Sequence, residues 1–301
     1  MSETNDISVV IPYYNREEYV DYAVQSVLAQ NLKPLEIIIV NDCSREPSRA
    51  YLDRYTDVCT IIDLPENVGL AGARNAGIRA ARGRYIAFLD DDDIWLPHKL
   101  RVQRAYMSEH PDCFGVHSSV WAFFLDRPDA LWKRDSPAPM TLAQALTDGG
   151  WAIPSSLLVR SDKTRALGGF DSRFRESEDR DFLIRCCAAG YRIDGIHEPL
   201  VRFRRQGHAS LTKSHWRMYR VDLKLCWKHK ALYYRVYGVR GLLSFLLEKL
   251  RIAAFHTRYV DGGVRLLLRF IKVKYQTRPG YREPVSSATP GPATNLTTPR
   301  P

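Results

Sequence analysis

Tyr85-Ile86-Ala87-Phe88-Leu89-Asp90-Asp91-Asp92-Asp93-Ile94-Trp95 decides how this chain is read. The apolar run before the acids reads as a buried strand. Four like charges in a row repel one another, so a folded chain needs a reason to hold them together. The strand would deliver the carboxylates to its C-terminal end, and in open α/β sheets that end is where ligands bind. Hard carboxylate oxygens there suit Mg2+ or Mn2+ shared with substrate phosphates. The alternative is a solvated acidic turn capping the next helix.

Working outward, the first hundred residues alternate between strand-like and helix-like segments. Ile7–Ile11 is a β-rich run ended by Pro12, and Leu35–Val40 is a second, closed by Asn41-Asp42. Val58–Leu64 and Arg84–Leu89 read as the third and fourth strands. Between them, Glu17–Gln30 carries apolar residues at helical spacing, Arg45–Tyr55 reads as a helix, and Gly69–Ala81 is Ala-rich with Gly83 as its stop. This alternation predicts a parallel sheet covered on both faces. Pro97–Glu109 is a further helix. Beyond it the pattern weakens: 114–124 and 155–159 are strand candidates, the three-proline segment 126–139 reads as a loop, 178–189 as a helix and 200–204 as a short strand.

Composition divides the chain. With 301 residues and 45% hydrophobic content, a sizeable core is available. The net charge of +10 is uneven: Lys213–Arg282 holds 17 Lys/Arg against three acids, a balance of +14, and residues 1–212 carry −4. Six cysteines form no C-x-x-C pair or metal-type spacing, which predicts reduced, mostly buried thiols. The opening residues do not read as a signal peptide, and no apolar run approaches the roughly 20 residues that span a bilayer. We expect a cytoplasmic protein. The last segment, 276–301, has six prolines and reads as a disordered tail; its Asn295-Leu296-Thr297 sequon is taken as chance.

Polar groups cluster at the four predicted strand ends: Pro12-Tyr13-Tyr14-Asn15, Asn41-Asp42-Cys43-Ser44, Asn67-Val68-Gly69-Leu70-Ala71-Gly72-Ala73-Arg74-Asn75, and the aspartates. In a parallel sheet these turns share one edge. With Gly168-Gly169-Phe170-Asp171-Ser172-Arg173-Phe174 and Glu178-Asp179-Arg180-Asp181-Phe182-Leu183-Ile184-Arg185, they occur in an order and spacing that resembles the family 2 inverting glycosyltransferases of the GT-A fold. The resemblance covers roughly residues 7 to 212. It implies an α/β nucleotide-diphospho-sugar transferase fold, a mostly parallel central sheet flanked by helices, in domain 1–212. No G-x-G-x-x-G follows the first strand, which excludes a Rossmann dehydrogenase.

The resemblance also implies roles. The donor-binding set is Pro12, Asn15, Asp42, Asn67, Gly69, Arg74, Asp90 and Asp91. Asp42 would accept from the nucleotide base, although an Asp at a strand end is also a common helix cap. Arg74 would lie near the base or phosphates. Asp90 would face the ribose or metal, and Asp92 would bind Mg2+ or Mn2+, with His208 a further candidate near the phosphates or metal. Asp93 would cap the following helix or orient Asp92. The general base falls in Glu178-Asp179, with Asp179 first and Glu178 and Asp181 as alternatives; Ser177-Glu178-Asp179 also fits a helix start. Trp121, Trp151 and Ile153-Pro154-Ser155-Ser156 fall on the acceptor side, and Arg204 and Arg205 are candidates for phosphate contact or a solvated turn. The implied partners are a nucleotide-diphosphate sugar, UDP favoured, and a glycan or lipid-linked acceptor of cell-surface polysaccharide synthesis.

The basic segment 213–275 reads as two or three amphipathic helices. Arg265, Arg269 and Lys272 share one helix face, and 240–256 is similar in composition. Such helices suit an anionic membrane surface at the inner face of the plasma membrane. Packing on the catalytic domain, or homo-oligomer formation, would use the same faces. Two competing functions fit less well. A sugar-phosphate nucleotidyltransferase would carry a Gly-rich basic loop after the first strand. A nucleic-acid binder would leave four phosphate-repelling aspartates unexplained, so no nucleic acid is expected.

Overall fold

A computed structural model describes residues 5–124, 127–135, 139–147, 152–205 and 215–255. The segment around His208, Trp151, the Arg265-Arg269-Lys272 face and the 276–301 tail lie outside these residues. The chain begins β1 (Ile7–Tyr13), α1 (Glu17–Leu28), β2 (Glu36–Asn41), a 3-10 turn at Ala50–Tyr55, β3 (Thr60–Asp63), α2 (Gly69–Ala80) and β4 (Tyr85–Phe88). β1 pairs in parallel with β2 and β4, and β2 with β3. The alternation read from the sequence is therefore a parallel sheet, and the 45–55 helix shrinks to its last six residues.

The second half is longer in strand than expected. It runs β5 (Ile94–Trp95), α3 (Lys99–Glu109), β6 (Gly115–Phe124), β7 (Arg127–Arg134), α4 (Leu142–Thr147), β8 (Leu158–Arg160), α5 (Ser161–Ala166), α6 (Glu178–Ala188) and β9 (Ile193–Arg205). The nine-stranded order is β3-β2-β1-β4-β8-β6-β9-β5, with β7 attached to β6. β8 is antiparallel to β4 and joins the parallel half to the rest. The segment expected as a loop contains β7. It pairs only with β6 among the described strands, so Pro128 falls on an outer strand, where a missing N–H is tolerated. Pro12 is accommodated similarly, because β4 pairs with β1 only up to Val10.

Side chains alternate between two cores, as a two-sided sheet requires. Val10, Ile38, Val40, Ile86 and Phe88 face α2, α4 and α6. Val9, Ile11, Ile37, Ile39, Ala87 and Leu89 face α1 and α3. The first core also takes Leu225, Cys226, Tyr233, Val236, Tyr237 and Phe245 from α7 (His215–Lys228) and α8 (Lys230–Phe255). Among the described residues the core thus continues past residue 212: the inner faces of the basic helices pack on α4 and α6. All six cysteines are free, and only Cys43 is exposed.

α2 lies very close to β1. A Cβ built on Gly77 would overlap the Val10 side chain. Overpacking of this kind costs about 1–3 kcal/mol. Gly77→Ala should lower stability by that amount in denaturant titration, and adding Val10→Ala should recover part of the loss. Additive losses in the double variant would mean that the two positions are not in contact.

Candidate functional site

The predicted strand ends do converge, and arginines hold them together. Arg74, on α2, is 1% exposed. Its Nη2 donates to Asp90 Oδ1 at 2.5 Å and its Nη1 to Glu178 Oε1 at 2.6 Å. One buried guanidinium thus joins the aspartate run to the start of α6. Asn75, next along α2, donates through Nδ2 to Phe170 O at 2.7 Å and accepts from Phe170 N at 2.8 Å. The Phe170 ring lies 5.3 Å from the Arg74 guanidinium. Arg74 is therefore a bridge between carboxylates, not a side chain left open to a base or phosphate.

Each aspartate has its own neighbour. Asp90 N donates to Ser155 Oγ at 3.0 Å, and Trp95 Nε1 donates to Ser155 O at 2.8 Å, so Ser155 steadies the turn. Arg16 Nη1 donates to Asp91 Oδ1 at 3.0 Å and to Asp92 Oδ2 at 2.8 Å. Asp93 is fully buried and accepts from Arg204 N at 3.0 Å, with the Ser155 side chain also beside it. Asp93 therefore ties the run to β9 and does not cap α3. Arg204 Nε donates to Asp92 O at 2.9 Å and its guanidinium packs over Tyr19 and Phe123, so it is neither a solvated turn nor an open phosphate contact. Burial pushes Asp91 up to about 8, against the pull of Arg16 and with Asp92 and Asp90 adding to the rise. Burial raises Asp92 as well, again against Arg16, and it raises Asp93 well above the carboxylate range, with Asp92 and Asp90 adding to that rise.

The other strand ends are cross-braced. Asp42 Oδ1 and Oδ2 accept from Val68 N at 2.8 Å and Gly69 N at 2.9 Å, so this carboxylate caps α2 from a neighbouring strand. Asn67 Nδ2 donates to Asp42 O at 3.2 Å. Asn15, at φ 49°, accepts from Arg45 N at 2.8 Å. Short polar side chains tolerate this left-handed conformation better than most.

α6 divides its acids between two directions. Ser177, at φ 58°, starts the helix in a conformation unfavourable to a residue with a Cβ, and such strain clusters at functional sites. Glu178 turns to Arg74. Asp179, half-buried, accepts from Arg180 N at 2.7 Å; burial raises it, and the Asp90 charge adds to the rise. Asp181 turns away: it is fully buried against Arg185 at 2.8 Å, Lys228 at 2.5 Å and His229 at 2.8 Å. Burial would raise Asp181, but those hydrogen bonds outweigh it and hold the carboxyl down at about 2. As an alternative base it is spent on holding α7 and α8. Arg180 does the same through Asp222 and through Tyr233 Oη at 2.9 Å.

Comparison with known proteins identifies the family. The model of Glycosyl transferase family 2 matches residues 8–155. TuaG of Bacillus subtilis, named for teichuronic acid biosynthesis, is 41% identical over 215 residues, 70% of this chain and 83% of its own. The chain belongs to glycosyl transferase family 2. An uncharacterized glycosyltransferase of Methanocaldococcus jannaschii is 30% identical over 236 residues, 74% of this chain and 80% of its own. Among solved structures, S. aureus TarS 1–349 in complex with UDP-GlcNAc superposes with a TM-score of 0.63 at 19% identity, over 84% of this chain and 74% of that one. Full-length TarS is matched over 46% of its length. The fold is the family's α/β architecture, and the protein is a glycosyltransferase.

For this family 2 chain, the fit of a divalent cation can be tested on the donor set. No three His, Cys, Asp or Glu among the described residues are grouped to hold a metal ion. Mg2+ beside phosphates typically needs only one or two carboxylates, the substrate supplying the rest. Asp90 and Asp92 supply two carboxyl groups of the kind required, and Arg16 Nη1 lies between Asp91 and Asp92.

Glu178 also makes stability depend on pH. Burial pushes it from 4.5 up to about 7; Arg74 opposes this, and Asp179 adds to it. A carboxyl raised on folding binds its proton more tightly in the folded state. The stability it contributes is full below the unfolded value and is lost as pH rises through the folded one. The Tm of the ligand-free protein should therefore fall between about pH 5 and about pH 7.5, and Glu178→Gln should flatten the fall. Superimposable Tm profiles would show that Glu178 does not titrate in this window.

Proposed function

We propose that this glycosyltransferase moves a sugar, with inversion, from a UDP-sugar to a hydroxyl of a glycan or lipid-linked acceptor in cell-surface polysaccharide synthesis. The observation that carries this reading is the Arg74 bridge, a buried guanidinium that ties Asp90 to Glu178, the residue next to Asp179. The names of TuaG and of the succinoglycan biosynthesis protein ExoO of Rhizobium meliloti support a polysaccharide context. TarS has been captured with UDP and with UDP-GlcNAc, which supports a UDP-sugar.

Asp90 and Asp92 would hold Mg2+ or Mn2+ beside the donor diphosphate, and when bound the cation neutralises charge on that leaving group. Asp179 takes the proton as the acceptor oxygen bonds to the anomeric carbon and the bond to the diphosphate oxygen breaks, its electron pair leaving with the phosphate. A carboxyl raised by burial is a stronger base than one in water, which suits Asp179 to this role. Arg74 takes up Glu178 in an ion pair, which leaves Asp179 as the carboxyl free of that guanidinium. A panel of UDP-, GDP- and dTDP-sugars with Mn2+ or Mg2+, scored by thermal shift and nucleotide release, should single out a UDP-sugar. Asp92→Asn should remove metal-dependent stabilisation. Asp179→Asn should keep donor binding and lose about 10²- to 10⁴-fold in transfer. Normal transfer by Asp179→Asn would reassign the base.

The outer faces of α7 and α8 favour a lipid surface as the place of action. Trp216, Leu223 and Trp227 recur along α7, and Val239, Leu243 and Leu247 along α8; all are exposed, Trp227 by 75%. Exposed Arg220, Lys230, Arg235 and Arg240 lie among them. Apolar and indole groups framed by cations complement an anionic bilayer. No helix of the described residues is long and apolar enough to cross one. Co-sedimentation should be strong with phosphatidylglycerol vesicles and weak with phosphatidylcholine, and a Trp216→Ala/Trp227→Ala double variant should release the protein. Unchanged sedimentation, with a lower mass in light scattering, would assign the face to self-association instead.

A further inference from the structure

Among the described residues, Arg74 and Arg16 form ion pairs with carboxylates of the aspartate run, and they differ in freedom. Arg74 is almost fully buried, stacked near Phe170 and engaged by two carboxylates. It cannot leave without stranding buried charge. The Arg16 side chain is 34% exposed, and it follows β1 at the open edge of the sheet. A single nitrogen, Nη1, sits between Asp91 Oδ1 and Asp92 Oδ2. One guanidinium nitrogen thus serves two carboxyl groups at once. Asp92 cannot give this lone pair to the guanidinium and to a divalent cation at once, and the two cations would repel each other at such a separation.

We propose that Arg16 is a built-in counter-ion, which holds the cation's place in the donor-free enzyme and passes to the donor's diphosphate when cation and nucleotide bind. The inference rests on the reading of Asp92 as a metal carboxylate. A cation arriving alone must displace the guanidinium with no new partner for it. A cation arriving with a nucleotide diphosphate brings phosphate oxygens, which a guanidinium binds in bidentate fashion. The exchange makes cation and donor bind cooperatively and keeps four adjacent carboxylates folded between turnovers. It also assigns Arg16 a positioning role that its place after Pro12-Tyr13-Tyr14-Asn15 does not announce.

Mn2+ titration followed by its EPR signal, with and without UDP, separates these effects without a transfer assay. Compared with the unmodified protein, Arg16→Gln should bind Mn2+ alone at least about fivefold more tightly. The factor by which UDP strengthens Mn2+ binding should shrink by a similar amount. Arg16→Lys keeps the charge but not the fork; it should leave the affinity for Mn2+ alone nearly unchanged and still weaken the UDP effect. This second variant carries the test if Arg16→Gln does not fold. Equal Mn2+ affinities and an undiminished UDP effect in the variants would overturn the counter-ion role and leave the metal reading standing. Absence of Mn2+ binding in every protein, with UDP bound unaided, would overturn both.

Discussion

The site depends on a buried guanidinium shared by two carboxylates. Arg74 sits between Asp90, at the end of β4, and Glu178, at the start of α6. Removing one partner of such a buried set typically costs about 3–5 kcal/mol, because the remaining charges lose compensation. The bridge also defines distance. It fixes the strand carrying the aspartate run against the helix carrying Glu178 and Asp179, although 104 residues separate Arg74 from Glu178 in sequence. Asn75 repeats the tie one residue later by closing both polar groups of its amide on the Phe170 backbone. Consecutive residues of α2 therefore hold the two halves of the molecule in register. α2 is itself anchored at its N-terminus by Asp42 and pressed against β1 through Gly77.

The acidic run is neutralised in layers, and the layers have different permanence. Arg74 is deep and has no route out. Asp93 is as deep, and it is held by a backbone amide of β9 and by the Ser155 side chain. Arg16 lies outermost and partly in water. Charge compensation is therefore most exchangeable at Asp91 and Asp92, the positions nearest the open edge, and most rigid where the fold requires it. A site that must accept and release a charged donor in every cycle needs this gradient. Uniformly rigid compensation would exclude the ligand, and uniformly loose compensation would leave four carboxylates repelling one another.

What could be read from the sequence follows from the range of the forces involved. Strand and helix periodicity is local, so β1, β2, β4, α1 and α2 were legible, as was the delivery of the aspartates to a sheet edge. Segment 127–134 was not, because a proline argues against a strand until the neighbouring β6 is known to leave one side open. The polar partners were hidden for a different reason. Nothing near Arg16 in the chain indicates that Asp91 and Asp92, 75 and 76 residues away, will meet it. Likewise Asp181 reads like Glu178 and Asp179 at a helix start, and only the fold shows it facing Lys228 and His229. Asp42 combined two readings that the sequence held apart: it lies at a strand end on the candidate site edge, and it is a helix cap.

The division of α6 gives the basic helices a consequence beyond solubility. Over its first turn, Glu178 and Asp179 belong to the strand-end edge, while Arg180 and Asp181 belong to α7 and α8. Arg180 reaches Asp222 and Tyr233, and Asp181 reaches Lys228 and His229, all in surroundings where an unpaired charge is expensive. Neighbouring residues of one helical turn cannot move independently. A displacement of α7 or α8 would reach the two carboxylates beside Arg180 and Asp181 through these pairs, alongside other contacts such as Lys228 with Asp171 and Tyr237 with Ala143 O. The C-terminal helices and the aspartate run are thus joined through α6 and Arg74.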